Sequence, residues 1–193
     1  MASRLIRGTA IAGGVATVAG LTLGLLAGEP TDPADLPAAR KLPSDLCARL
    51  GDVSALLPKA TDEQLKLLQT GSSVVRCRVD VDEKTQPTHT SASLAVTVTP
   101  YGAKEGGAGA PPFPPETVAR QAYDRKPANE LTDRPYPTKV ERSPLGQEHW
   151  RMSVLVVRAD VLVQVDYTAQ PISEDTAEQA ALVLADRAIL ESR

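Results

Sequence analysis

His89 and His149 are the two side chains of this chain that could act as bases near neutral pH. A hydrolase would need a nucleophile and an orienting acid that converge on one of them. Ser143, Ser153 and Asp166 are the candidates, but their spacing in the sequence does not place them beside His149, and no G-x-S-x-G motif occurs. We therefore interpret His149 as a strand-end side chain. The sequence assigns no catalytic residue and no cofactor, and we expect the chain not to be an enzyme.

Asp80, Asp82 and Glu83 form an acidic cluster that could suggest calcium, which prefers carboxylate oxygens. The period-2 pattern predicts that the two aspartates share one strand face with Arg76 and Arg78. A solvated face whose charges neutralise one another is the better interpretation, so no metal site is predicted.

Phe113 is the only phenylalanine and lies in residues 102–115, a stretch in which eight of the fourteen residues are Gly or Pro. The composition predicts a long surface loop. It is not a phosphate loop, because no Lys-Ser or Lys-Thr follows its glycines. Prolines limit the entropy that a loop loses on docking, so we predict that Phe113 is a partner contact. The alternative is that its ring folds back onto the sheet edge and anchors the loop.

Cys47 and Cys77 are the only cysteines. They form no C-x-x-C redox motif, and two isolated cysteines without a nearby histidine make a poor zinc site. In an oxidising compartment we expect one disulfide that closes a loop of about 30 residues. Buried free thiols are the alternative.

Residues 44–193 are predicted to fold as one α+β domain, an antiparallel sheet of about five strands covered by helices. Trp150 begins a strand and is predicted to lie in the core beneath a helix. The predicted helices are a first one over 45–57 capped by Ser44, a short one from the Thr61/Gln64 capping box to Gly71, one over about 116–126, and a last one capped by Ser173. The predicted strands contain Val75–Val81, Leu94–Val98, Thr138–Arg142, Trp150–Arg158 and Val161–Tyr167, and residues 127–137 are predicted to be loop.

This arrangement resembles the small extracytoplasmic domains of actinobacterial envelope proteins, on the basis of Pro43 and Cys47 at the first helix, Cys77 in the first strand and an Ala-rich last helix. Many of those proteins are lipoproteins with a domain of unknown function, and the pattern is also similar to extracellular sensor domains of some Ser/Thr kinases. The resemblance covers about residues 43–192 and implies an extracytoplasmic α+β fold. Two features depart from it: the lipid-bearing cysteine is missing, and Val79 stands where such proteins often carry Trp.

Residues 8–28 contain no charge, follow Arg4 and Arg7, and precede an acidic segment. Twenty-one helical residues span about 31 Å, close to the ~30 Å hydrocarbon core of a bilayer. The flanking charges fit the positive-inside rule. We predict a single-pass anchor with residues 1–7 in the cytoplasm and residues 29–43, rich in proline, as an extracytoplasmic linker. A cleaved signal peptide, and hence a secreted protein, is the alternative.

Small residues recur every fourth position of this segment, among them Gly20, Gly24 and Gly28. Such a row lets two membrane helices approach closely, so self-association is a further prediction. Chance is the alternative, because half of the segment is Gly or Ala.

Beyond residue 28 the chain carries 19 basic and 24 acidic side chains, a net charge of −5. This balance argues against a nucleic-acid partner. We expect a non-enzymatic, membrane-tethered binding or sensing module of the cell envelope, whose partner is an envelope protein or a small ligand. A secreted or anchored hydrolase-type accessory protein with an unrecognised active site is the alternative.

Overall fold

The computed structural model describes residues 36–58, 67–85, 88–107 and 110–193. Residues 37–104 and 113–193 form one compact unit. Its helices are α1 (Leu46–Arg49), α2 (Pro115–Asp124) and α3 (Glu174–Glu191), with a 3-10 turn at Ser54–Leu56. Its strands are β1 (Leu68–Thr70), β2 (Val75–Thr85), β3 (Thr88–Pro100), β4 (Asn129–Leu131), β5 (Thr138–Gly146), β6 (His149–Arg158) and β7 (Val161–Gln170).

All seven strands form one antiparallel sheet in the order β1-β2-β3-β7-β6-β5-β4. Neighbours in sequence pair as hairpins, and the pairing of β3 with β7 joins the two halves of the sheet. The turn between β6 and β7 has only Ala159 and Asp160, with Ala159 in the left-handed region at φ 48°. Short turns of this kind hold the long central strands in a fixed register.

One face of the sheet forms the main core under α1 and α3. Alternate side chains of β2, β3, β6 and β7 point into it, so Val96, Val154 and Val165 are fully buried. Ser173 caps α3 by accepting a hydrogen bond from the Thr176 amide at 3.3 Å. The predicted inner residues of this helix are buried as expected: Ala177, Ala181, Leu184 and Ala188.

The opposite face is covered at one end by α2. Ala119 and Tyr123 of this helix pack on Leu155, Val157 and Leu162, and all five are buried. Leu155, Val157 and Leu162 are apolar, whereas most other side chains on this face of the sheet are polar. The helix therefore covers only the part of this face that is apolar.

The α+β class with an antiparallel sheet is confirmed, but the sheet has seven strands rather than the predicted five. The additional strands are the short edges β1 and β4, the latter inside the predicted loop 127–137. Leu68–Thr70 was assigned to the end of a helix, yet it pairs with Arg76–Arg78 of β2. Three residues without clear alternation give no strand signal by themselves, because their structure depends on the neighbour. Thr61 and Gln64 lie outside the described residues.

The predicted helix over 45–57 is wrong in its length. It is interrupted after Arg49 because Gly51 adopts φ 74°, a left-handed conformation that ends helices. The Asp52 carboxylate then accepts hydrogen bonds from the Ser54 amide at 2.9 Å and hydroxyl at 2.8 Å, which starts the 3-10 turn instead. The residue preceding α1 is Asp45, rather than the predicted cap Ser44, and its side chain makes no capping bond.

Cys47 and Cys77 form the predicted disulfide, with their Cα atoms 5.4 Å apart and both side chains buried. It ties α1 to β2. Trp150 packs against the main core but is only half-buried. It is the second residue of β6, opposite Pro144 and Ala169, and so lies near the end of the sheet. The predicted placement of the indole against the core is therefore confirmed, but its burial is only partial.

The proposed anchor over residues 8–28, with Gly20, Gly24 and Gly28, lies outside the described residues, as do residues 29–35 of the linker. No helix within the described ranges is long and apolar enough to span a bilayer.

Candidate functional site: the open face of the sheet

The part of the sheet that α2 leaves uncovered is a polar surface built from four strands, which we call the open face. Its side chains alternate with those of the main core, as the period of 2 along each strand requires. They are Arg76, Arg78 and Asp80 on β2, Ser91, Ser93, Ala95 and Thr97 on β3, Gln164, Asp166 and Thr168 on β7, and Arg151 and Ser153 on β6.

Strand register arranges these side chains in rows across the sheet. Ala95 lies between Arg78 on β2 and Asp166 on β7, and Asp166 in turn lies opposite Ser153. The next row contains Asp80, Ser93, Thr168 and Arg151 in that order. Residues that are far apart in the chain therefore meet on one rigid surface.

The outward side chains of β3 are all small. From Ser91 to Thr99 none is larger than threonine, and each is half-buried, whereas the arginines of the neighbouring β2 are exposed. Strand spacing places β2 and β7 about 10 Å apart across β3, and the stretch of β3 from Ser91 to Thr97 extends about 20 Å. The open face is therefore a shallow trough, with β3 as its floor and with longer side chains of β2, β6 and β7 along its sides.

Asp166 is the centre of a hydrogen-bond cluster on the β7 side of this trough. Ser153 Oγ donates to its Oδ1 at 2.9 Å, and Gln164 Nε2 donates to Oδ1 at 3.1 Å and to Oδ2 at 3.0 Å. These bonds fix the carboxylate in place while it remains half-exposed. The Asp166 carboxylate can therefore accept a further hydrogen bond from a donor group of a partner.

Asp80 is the centre of a second cluster on the β2 side. Arg78 donates to it from Nε at 2.7 Å and from Nη2 at 3.1 Å, and Ser93 Oγ donates at 2.7 Å. The Arg78 guanidinium, with a further contribution from Ser93, holds the pKa of the Asp80 carboxyl below its ordinary value. The interpretation of this strand face as solvated and neutralised by neighbouring charges is confirmed for this pair.

The structure does not assemble the hydrolytic constellation. Ser153 and Asp166 do meet, but the hydroxyl donates to the carboxylate rather than to an imidazole. His149 is half-buried four residues earlier on the same strand, about 13 Å away along β6. Ser143 lies opposite Arg151. For His89 only the backbone, near the start of β3, lies within the described part.

Among the described residues, no group of three His, Cys, Asp or Glu side chains is arranged to hold a metal ion.

Phe113 pairs with Lys104 across the base of its loop. The two backbones exchange hydrogen bonds of 3.0 and 2.8 Å, which anchors the residue, while 38% of its surface stays exposed. Its role as a partner contact stays a prediction.

The trough was missed at the sequence level, although its signal is visible. Outward positions alternate with buried ones along residues 91–99, SASLAVTVT, and every outward side chain is small. What the sequence does not specify is that β7, about 70 residues later, lies beside β3 and brings Asp166 to this row.

Comparison of the chain with protein-family models, with curated proteins and with solved structures finds no match.

Proposed function

We propose that this chain is a non-enzymatic, membrane-tethered binding module of the cell envelope that holds an extended polypeptide segment of a partner in the trough of the open face. The observation that carries the proposal is the trough itself, a polar surface about 20 Å long on the central strands of a seven-stranded sheet. Helices cover the apolar parts of both faces, and within the described ranges no helix packs on this polar part.

The trough is preorganised for binding. Its hydrogen-bonding groups lie on paired strands, and the Asp166 and Asp80 carboxylates are already fixed by neighbouring donors. A partner that docks here does not bear the entropic cost of ordering loops.

Charge distribution supports a polypeptide partner. The face carries Arg76, Arg78 and Arg151 together with Asp80 and Asp166. Alternating signs complement the mixed side chains of a peptide better than a uniformly charged polymer. Hydroxyl groups on the β3 floor offer both donors and acceptors to a peptide backbone.

Location outside the membrane is part of the same proposal. A buried disulfide is typical of proteins in oxidising compartments, and here it ties α1 to β2. The uncharged segment 8–28 and the proline-rich linker 29–43 would hold the domain near the membrane surface. The resemblance to actinobacterial envelope domains favours the same location.

Site-specific photocrosslinking tests this proposal. A benzophenone amino acid is introduced at Ala95 in the centre of the trough, and at Val183, which is 40% exposed on α3, as the matched control. In intact cells we expect a discrete crosslinked partner from position 95 and none from position 183. The crosslink at 95 should be lost when Thr168→Arg fills the trough, while far-UV circular dichroism stays unchanged.

Equal crosslinking from both positions, or none from position 95, would contradict the proposal. A hydrolase would give a different result. The purified full chain, screened with ester, peptide and glycan substrates, would then show turnover that His149→Ala abolishes.

A further inference from the structure

A small cleft at one end of the sheet lies away from the open face. It has a volume of about 110 Å³ and is formed where the β6–β7 turn, the end of α3 and the segment before α1 meet. Three arginines line it: Arg40, Arg158 and Arg193. Val161 and Ile189 supply apolar wall. Guanidinium groups from three distant parts of the chain therefore converge on one cavity.

Only one of these arginines has an acidic partner. Arg40 forms a bidentate ion pair with Asp160, in which its Nε and Nη2 donate to the two carboxylate oxygens. The bond from Nε to Oδ2 is 2.8 Å long. Within the described ranges, no carboxylate side chain pairs with Arg158 or Arg193. The cleft thus has an excess of positive charge.

Arg158 is held in place by an aromatic ring. Its guanidinium carbon lies 5.0 Å from the centroid of the Tyr136 ring, a cation–π contact. Its Nη1 is buried and has no acceptor in the described part of the chain. A buried donor without an acceptor is costly, and a guanidinium without a carboxylate partner is suited to recognition of an oxyanion.

The end of α3 does not explain this cluster. Cations near a helix C-terminus are favoured by the helix dipole. However, none of the three arginines donates to an α3 carbonyl, and the Ile189 carbonyl accepts from the Ser192 hydroxyl at 3.0 Å instead. The helix end supplies a favourable field but not the missing acceptors.

We propose that this cleft binds a phosphate-type oxyanion through Arg158 and Arg193, with the Arg40–Asp160 pair fixing its third side. Its volume of about 110 Å³ is enough for one tetrahedral anion. Two sources could supply the group, a free phosphate or the head group of a phospholipid. The inference does not depend on the open face.

Titration calorimetry of the full chain in zwitterionic detergent tests the site, with inorganic phosphate in one arm and short-chain phosphatidylglycerol in the other, at constant ionic strength. We expect saturable binding in at least one arm. Arg158→Gln should weaken it at least tenfold, and Arg158→Lys, which keeps the charge but loses the planar fork, should weaken it less. Arg49→Gln is the matched control, because it removes the same charge from an exposed arginine outside the cleft.

Binding of phosphate assigns the site to a free oxyanion, and binding of the lipid alone assigns it to a head group. No saturable binding in either arm, or equal loss in Arg158→Gln and Arg49→Gln, would overturn the proposal. If Arg158→Gln does not fold, Arg193→Gln replaces it, because Arg193 is exposed.

Discussion

Arg142 and Glu178 join β5 to α3 through two parallel hydrogen bonds of 2.6 Å each. The side chains are 29% and 19% exposed, so solvent screens this pair only in part. The bond to Glu178 raises the pKa of the Arg142 guanidinium above its ordinary value. By contrast, Arg49 at the end of α1 and Asp45 just before its start are 46% and 57% exposed and form a single bond of 2.8 Å.

We expect Arg142→Gln to lower the free energy of unfolding of the full chain by about 1–3 kcal/mol, because it leaves Glu178 without its charged partner. Arg49→Gln, the matched control, should cost less than about 1 kcal/mol. Urea denaturation followed by circular dichroism measures both. Equal costs for the two variants would show that the Arg142 pair is no stronger than a surface pair.

Two buried tyrosines predict how stability depends on pH. Burial raises the pKa of Tyr123 to about 12 and raises the pKa of Tyr167 further. Tyrosine in the unfolded chain ionises near pH 10, so above that pH the folded state binds more protons than the unfolded state. The stability that the neutral rings provide is complete below about pH 10 and should be lost as pH rises through about 12.

Urea midpoints should therefore stay level up to about pH 10 and fall between about pH 10 and 12. The double variant Tyr123→Phe/Tyr167→Phe should show a shallower fall. It should also be less stable at neutral pH, because Tyr167 donates to the Leu56 carbonyl at 2.7 Å. An unchanged slope in the double variant would rule out these two rings as the cause.

At the scale of elements, α2 is held on the sheet by a lysine from β5. Lys139 Nζ donates to the carbonyls of Tyr123, Asp124 and Lys126 at 3.1, 3.4 and 3.0 Å. It also lies 4.5 Å from the centroid of the Tyr123 ring. A cation that binds the last carbonyls of a helix stabilises its C-terminus.

Lys139→Met should loosen α2 while the sheet stays intact. We expect faster amide hydrogen exchange in residues 115–124 than in β6, and a loss of about 1–2 kcal/mol in unfolding free energy. Lys126→Met, at an exposed lysine whose side chain makes no such contact, is the control. If exchange in α2 does not change, the ammonium does not hold the helix.

The disulfide between α1 and β2 closes a loop of 30 residues. In the chain-entropy model such a loop is worth about 3–4 kcal/mol, so Cys47→Ala/Cys77→Ala should lower the unfolding free energy by about that amount. Urea denaturation of the two forms measures it. Protein isolated from the envelope should show no alkylatable thiol by mass spectrometry, and two such thiols would contradict the bridge.

Local pattern predicts some of these elements and not others. The alternation of Val75, Cys77 and Val79 is sufficient to predict β2, because the core lies on one face only. The edge strands β1 and β4 have three residues each and exist through pairing with a neighbour, so sequence pattern does not reveal them. The apolar periodicity over residues 45–57 predicts one helix, but Gly51 ends that helix because it adopts a left-handed conformation.

The site was harder to predict than the fold. Each polar residue of the open face was visible as an outward strand position, but the trough requires the pairing of β3 with β7. That pairing is non-local, and the period of 2 within a strand carries no information about which strand lies beside it.

At the scale of the whole molecule, the chain combines a buried core under α1 and α3, an apolar end under α2 and a polar trough that no described helix covers. Combined with the predicted anchor at residues 8–28, this arrangement supports a domain that presents one rigid surface to a partner outside the membrane. One labelling experiment can test both the location of the domain outside the membrane and the trough as its binding surface.

The most direct test is labelling of Ser93→Cys and Val183→Cys variants in intact spheroplasts with a membrane-impermeant maleimide. We predict that the cysteine at position 183, exposed on α3, reacts readily, whereas the one at position 93, in the trough, is protected by the partner and reacts only in the purified chain. If neither reacts until the cells are lysed, the domain is not outside the membrane. If position 93 reacts as fast in spheroplasts as in the purified chain, the trough is not the binding surface.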